Sequence, residues 1–200
     1  DVVVFMKCLS GILEVLLWKE FERNIWITRK CRINASERLL KSAKFVEFLN
    51  VYYSIFVITL SLLSLIQHND QFSFASIVLS IALTISIVYA NTTGLRDRST
   101  VLKQNYIDLQ VLLDQLFYIE ATETEKVLTV SDKYAELLKL SENHLSIDLY
   151  RVKSTSSDTN FKMDRIEWVK YILLVLWDCL WRLFLVAVPV IGTIYLFFAG

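Results

Sequence analysis

Phe48-Leu49-Asn50-Val51-Tyr52-Tyr53-Ser54-Ile55-Phe56-Val57-Ile58-Thr59-Leu60-Ser61-Leu62-Leu63-Ser64-Leu65-Ile66 is a run of 19 residues without a formal charge, and Phe72–Ala90 is a second run of equal length. At about 1.5 Å per residue each spans roughly 28 Å, close to the thickness of bilayer hydrocarbon. Between them stands Gln67-His68-Asn69-Asp70-Gln71, five polar residues with turn character. The reading is a transmembrane helical hairpin over 45–93. Lys19, Arg23, Arg29, Lys30, Arg32, Arg38, Lys41 and Lys44 precede the first run, and Arg96, Arg98 and Lys103 follow the second, while the loop has no Lys or Arg. The positive-inside rule places both outer ends in the cytoplasm and the loop outside.

Working outward, Tyr171–Ala199 is a third apolar block, about 43 Å long as a helix and so longer than the bilayer core. Leu183–Phe198 is expected in hydrocarbon, with 171–182 near the cytoplasmic interface or packed on the hairpin, and the C-terminus outside. Trp168, Trp177 and Trp181 suit the headgroup level. Asp178 and Arg182 stand four apart on one face and can pair, and Pro189 can kink the span. At the other end, Val2, Phe5, Leu9, Ile12 and Leu16 have helical spacing, but Lys7 and Glu14 would be costly inside lipid. An amphipathic helix fits, and a signal peptide is not expected.

Composition agrees with an all-α membrane protein. Apolar residues make up 54% of the 200-residue chain and charged ones 21%, against about 45–50% apolar in soluble domains. Four glycines and one proline are too few for a turn-rich β protein. With 21 basic and 21 acidic residues the whole molecule has no electrostatic attraction to nucleic acid, and direct binding of it is not expected. Cys8, Cys31 and Cys179 are far apart and read as reduced thiols.

The segments outside the hydrophobic blocks read as N-terminal amphipathic and basic helices (1–44), a cytoplasmic helical module (94–153) and a linker (154–166). The C-terminal transmembrane helix takes 167–200. Leu95, Leu102, Tyr106, Leu109, Leu113 and Leu116 trace a heptad-like stripe with a gap at Ser99. It fits a coiled-coil stalk or an amphipathic helix packed on its own chain equally well. Val127, Val130, Tyr134, Leu137, Leu138 and Leu145 mark one or two further helices. Ser-Thr-Ser-Ser-Asp-Thr-Asn at 154–160 cannot build a core.

No catalytic, cofactor or metal motif emerges. His68 has only Asp70 nearby, and His144 with Glu142 does not match a helical metal pair. The acidic residues Glu120, Glu123, Glu125, Asp132 and Glu136 read as a solvated helix face. The hairpin carries small polar residues instead: Asn50, Ser54, Ser61 and Ser64 on the first span, and Ser73, Ser76, Ser80 and Thr84 on the second. Close helix packing explains them, and so does a hydroxyl-lined ion path in an assembly.

Trp26-Ile27-Thr28-Arg29-Lys30-Cys31-Arg32-Ile33-Asn34-Ala35-Ser36-Glu37-Arg38-Leu39-Leu40, placed before a two-helix hairpin, resembles the SLATT family of bacterial two-transmembrane effector domains. Asp132-Lys133-Tyr134 and Glu142-Asn143-His144 with Asp148 look like that family's region after the hairpin. The likeness covers roughly 19–150. It implies a membrane effector of an abortive anti-phage system in the bacterial inner membrane. Such an effector would form a homo-oligomeric pore when a nucleotide-signalling enzyme or reverse transcriptase activates it. Arg29, Arg32 and Arg38 would then meet lipid headgroups, the acidic 120–136 face or a partner's nucleic acid, the first two favoured by composition. A non-toxic anchor for a cytoplasmic enzyme, or a channel accessory subunit, are the other readings.

Overall fold

The computed structural model describes residues 2–67, 70–119, 123–156 and 161–199. His68 of the hairpin loop, Glu120 and linker positions 157–160 lie outside the described residues, as do the side chains of Val2, Phe5, Lys7, Cys8, Leu9, Ile12 and Glu14. The described chain is all-helical: α1 (Val2–Gln67), α2 (Asp70–Thr93), α3 (Leu95–Phe117), α4 (Thr124–Lys139), α5 (Ser146–Thr155) and α6 (Arg165–Ala199).

The basic helix and the first apolar span, expected as separate elements, are one helix of 66 residues. The reason is local: no proline and a single glycine (Gly11) interrupt 2–67, so nothing stops propagation before the polar loop. α2 and α3 do separate, at Gly94, whose φ of +54° is the left-handed conformation that commonly ends a helix and that glycine adopts without a Cβ clash.

The helices form two compact units, one built from 1–38 and 98–163, the other from 39–97 and 164–200. In the first, Ile25 of α1, Leu109, Leu112 and Leu116 of α3 and Val130 of α4 make a closed core, with Trp18, Phe21, Tyr134 and Leu137 against it. The buried face of α3 is Ser99, Leu102, Asn105, Leu109, Leu112 and Leu116. These steps of 3 and 4 are the period of a helix laid on a surface. α3 is therefore an amphipathic helix packed on its own chain. The apparent gap at Ser99 is a contact, and the buried face also takes in Asn105 and Leu112, while Leu113 packs against the core as the spacing predicts and Tyr106 is partly buried.

The second unit is organised the other way round. Its helices are long and apolar enough to cross a membrane, yet they expose large apolar side chains such as Ile55 (58%), Ile77 (58%) and Leu183 (60%). An apolar surface of that extent is stable when lipid is the solvent. Its buried residues include Leu39, Ala43, Leu49, Leu60, Phe72 and Ser76.

The position of the α3 face is testable. Leu112→Ala should cost about 3 kcal/mol of unfolding free energy, and Leu113→Ala about half of that, in the detergent-solubilised full chain. Equal losses would show that the face is misplaced.

Candidate functional site

Helices leave their last carbonyls and first amides without internal partners, and the first unit uses α1 to supply them. Arg32, 1% exposed, donates from one guanidinium nitrogen to Leu137 O at 3.0 Å and from the other to Leu138 O at 3.5 Å. Both carbonyls belong to the last turn of α4. Asn105 of α3 donates to Leu137 O as well, at 2.8 Å. A cation at a helix C-terminus also meets the negative end of the macrodipole. Burial pushes the Arg32 pKa down, with Tyr134 acting the other way, but a guanidinium stays charged in proteins.

Six residues further along α1, Arg38 grips α5. Its Nε and a terminal nitrogen donate to the two carboxylate oxygens of Asp148 at 3.0 and 3.1 Å, the bidentate geometry that makes such pairs strong. Asp148 is the third residue of α5 and also accepts from Leu145 N at 3.0 Å, closing the turn that starts the helix. Asn34 donates to Asp148 O at 3.1 Å. One stretch of α1 thus holds the end of α4 and the start of α5, and with them the connection 140–145.

The neighbouring residues complete the clamp. Thr28 and Tyr134 share a hydroxyl hydrogen bond of 2.9 Å. Ser36 donates to Ser99 O at 2.9 Å, and Ser99 donates to Ser36 O at the same distance. Glu142 accepts from Arg98 at 2.6 Å on the surface. Trp26 is partly exposed with the Lys30 ammonium 5.6 Å from its ring centre, Arg29 is half-buried, and Asn143 is exposed. Cys31 is fully buried, and burial, assisted by Asp148, pushes its thiol up to about 12, so it stays protonated and unreactive.

Of the protein partners expected for the arginines, the acidic 120–136 face is not the one that Arg32 and Arg38 bond. They bond to α4 backbone carbonyls and to Asp148. Sequence reading missed Asn34, Ser36, Ser99 and Asn105 as members of this cluster. The trace of them in the sequence is that 25, 28, 32, 35, 36 and 39 follow a helical period regardless of polarity.

The hydroxyl residues of the second unit divide into two sets. Ser64 and Ser73 hydrogen-bond to each other, and Ser76 is buried. Ser54, Ser61, Ser80 and Thr84 each donate to the carbonyl four residues back, at 2.7–2.9 Å. Thr84 is exposed and Ser80 partly so. Asn50 Oδ1 is buried with no partner among the described residues. Arg182 donates to Asp178 at 2.8 Å and to Ser42 Oγ at 3.4 Å, with its guanidinium 4.8 Å from the centre of the Phe45 ring. No group of three metal-ligating side chains occurs among the described residues.

Two measurements test the clamp. Asp148→Ala should cost about 2–3 kcal/mol, because it removes a buried carboxylate that takes the bidentate Arg38 pair and the Leu145 amide, whereas Glu142→Ala, at an exposed pair, should cost under about 1 kcal/mol. Thermal melts of the solubilised chain decide between them. Burial lowers the pKa of half-buried His144, opposed by Asp148 and assisted by Arg32. The unfolded chain therefore takes up its proton first. Stability is intact above the ordinary histidine value of 6.5 and falls as pH drops below it. His144→Gln should flatten that slope, and an unchanged slope would exclude His144 as its source.

No curated protein and no solved structure matches the chain significantly. A family match does exist, over residues 17–196, and so takes in the clamp, the hairpin and nearly all of α6. The third apolar helix, expected to lie beyond the two-span pattern, is inside the matched domain. With most of its length matched, the chain belongs to the SMODS and SLOG-associating 2TM effector domain family 5.

Proposed function

We propose that this chain is the membrane-damaging effector of a bacterial defence system, in which a partner sensor acts on the clamped cytoplasmic unit and hairpins of several copies assemble into a pore. The sensor is a nucleotide-signalling enzyme or a reverse transcriptase. The chain sits in the inner membrane with the N-terminus cytoplasmic and the C-terminus outside, as the basic flanks require.

The observation that carries the reading is the hydroxyl stripe of α2 above its packed part. Ser80 and Thr84 are not buried, and their hydrogens are taken up by their own helix. Their oxygen lone pairs therefore face outward on a helix with no charged residue between Phe72 and Ala90. Ringed by copies of the same helix, such oxygens replace part of an ion's hydration shell. No titratable carboxylate or histidine lies along the hairpin spans, which favours a passive conductance over a coupled pump.

One fact favours a non-toxic anchor instead: local hydrogen bonds and packing already satisfy these hydroxyls. The two readings separate in one experiment. Cells co-expressing the chain and its genomic neighbour are loaded with a voltage-sensitive dye. A pore gives rapid depolarisation, and Ser80→Leu with Thr84→Leu reduces its rate about tenfold at equal membrane abundance, the scale of about 1.4 kcal/mol. Depolarisation untouched by the double variant would remove α2 from the pore. Full potential alongside stable co-purification of the neighbour would establish the anchor.

A further inference from the structure

Pro189 stands inside α6. Proline has no amide hydrogen, so the carbonyl four residues earlier loses its helical donor, and the ring crowds that same oxygen. Here the oxygen belongs to Leu185. In hydrocarbon no water can take the donor's place, and a bare carbonyl is costly.

The Tyr53 hydroxyl of α1 donates to Leu185 O at 2.7 Å. The next carbonyl, Val186 O, receives the Tyr52 hydroxyl at 2.9 Å. Two consecutive tyrosines thereby meet two consecutive carbonyls at the turn the proline disrupts, within one compact unit. Aromatic packing alone accounts for part of this: the Tyr52 ring lies 5.7 Å from Phe48 and 4.9 Å from Phe56 between centroids. It does not explain why the Tyr53 hydroxyl ends on the one carbonyl that covalent structure deprives of a donor.

We infer that Tyr53 supplies the hydrogen Pro189 lacks, forming a latch that fixes α6 to the hairpin, and that release of this latch frees α6 when the effector fires. The latch rests on the geometry. The release step rests on the pore reading above. Neighbouring elements reinforce the closed joint: Arg182, one turn before Leu185, reaches Ser42 and Phe45 of the same helix α1. Thr193 donates to Pro189 O at 2.7 Å, so the carbonyl of the proline is itself satisfied inside α6.

A double-mutant cycle on the full-length solubilised protein tests the latch. In Pro189→Ala the new amide hydrogen reaches Leu185 O and makes the tyrosine hydroxyl redundant. Tyr53→Phe should lower the melting midpoint by about 4 °C with Pro189 present and by under about 1 °C in the Pro189→Ala background. Tyr52→Phe is the control: Val190 still carries an amide hydrogen for Val186 O, so its shift should be similar in both backgrounds. Equal shifts for Tyr53→Phe in the two backgrounds, or none in either, overturn the latch.

Membrane potential in cells expressing the same four variants of the Tyr53–Pro189 cycle tests release. Tyr53→Phe alone should raise basal depolarisation several-fold, and Pro189→Ala should suppress that rise. Equal depolarisation by all four would overturn the release step. Silence from all four in the absence of the genomic neighbour would overturn the release step, and silence from all four with the neighbour co-expressed would overturn the pore reading as well, while the melting cycle still decides the latch.

Discussion

The first unit depends on two guanidinium groups of α1, Arg32 buried and Arg38 partly so, meeting the ends of α4 and α5. Arg32 is all but fully buried with no carboxylate in bonding contact among the described residues, and its charge is met by backbone carbonyls at the α4 terminus. Arg38 meets Asp148, which is itself fixed by the first turn of α5. Desolvating such groups costs several kcal/mol each, and their attraction recovers this only where geometry is good and the remaining donors are used. Hydrophobic replacement could match the stability. What it could not match is the selection of one register, because sliding α1 by a single residue would strand both cations.

That constraint explains why the connection 140–145, with no regular structure of its own, has a defined place. Its two ends are gripped from one helix, α1, through residues six apart. The apolar core of Ile25, Leu109, Leu112, Leu116 and Val130 supplies the bulk of the driving force, but it is non-directional and would tolerate several arrangements of α4 and α5. The polar clamp chooses among them. Partners that bind the elbow would act on the point where the choice is made.

The apolar runs were legible from sequence because 19 uncharged residues flanked by basic ones leave few alternatives in water. The all-helical class followed from the scarcity of glycine and proline. The clamp was not legible, and the cause is physical. A binary apolar/polar pattern assigns arginine, asparagine and serine to solvent, whereas Arg32, Asn105, Ser36 and Ser99 are buried because helix termini and facing hydroxyls satisfy them. The same bias left Asn105 out of the α3 stripe in favour of its neighbour Tyr106. Family likeness picked out Arg32, Arg38 and Tyr134 as a set without revealing that their job is to close on one another's helices.

Polar groups in the apolar unit follow a different economy. Ser54, Ser61, Ser80 and Thr84 donate to carbonyls of their own helices that already have amide partners, so each can rotate to a new acceptor with little loss. Tyr53 donates to a carbonyl that has no amide partner, and moving it exposes an acceptor to lipid. Those hydroxyls therefore tolerate a change of surroundings at little cost. The Tyr53 hydroxyl lacks that freedom, and it sits at the joint between α1 and α6.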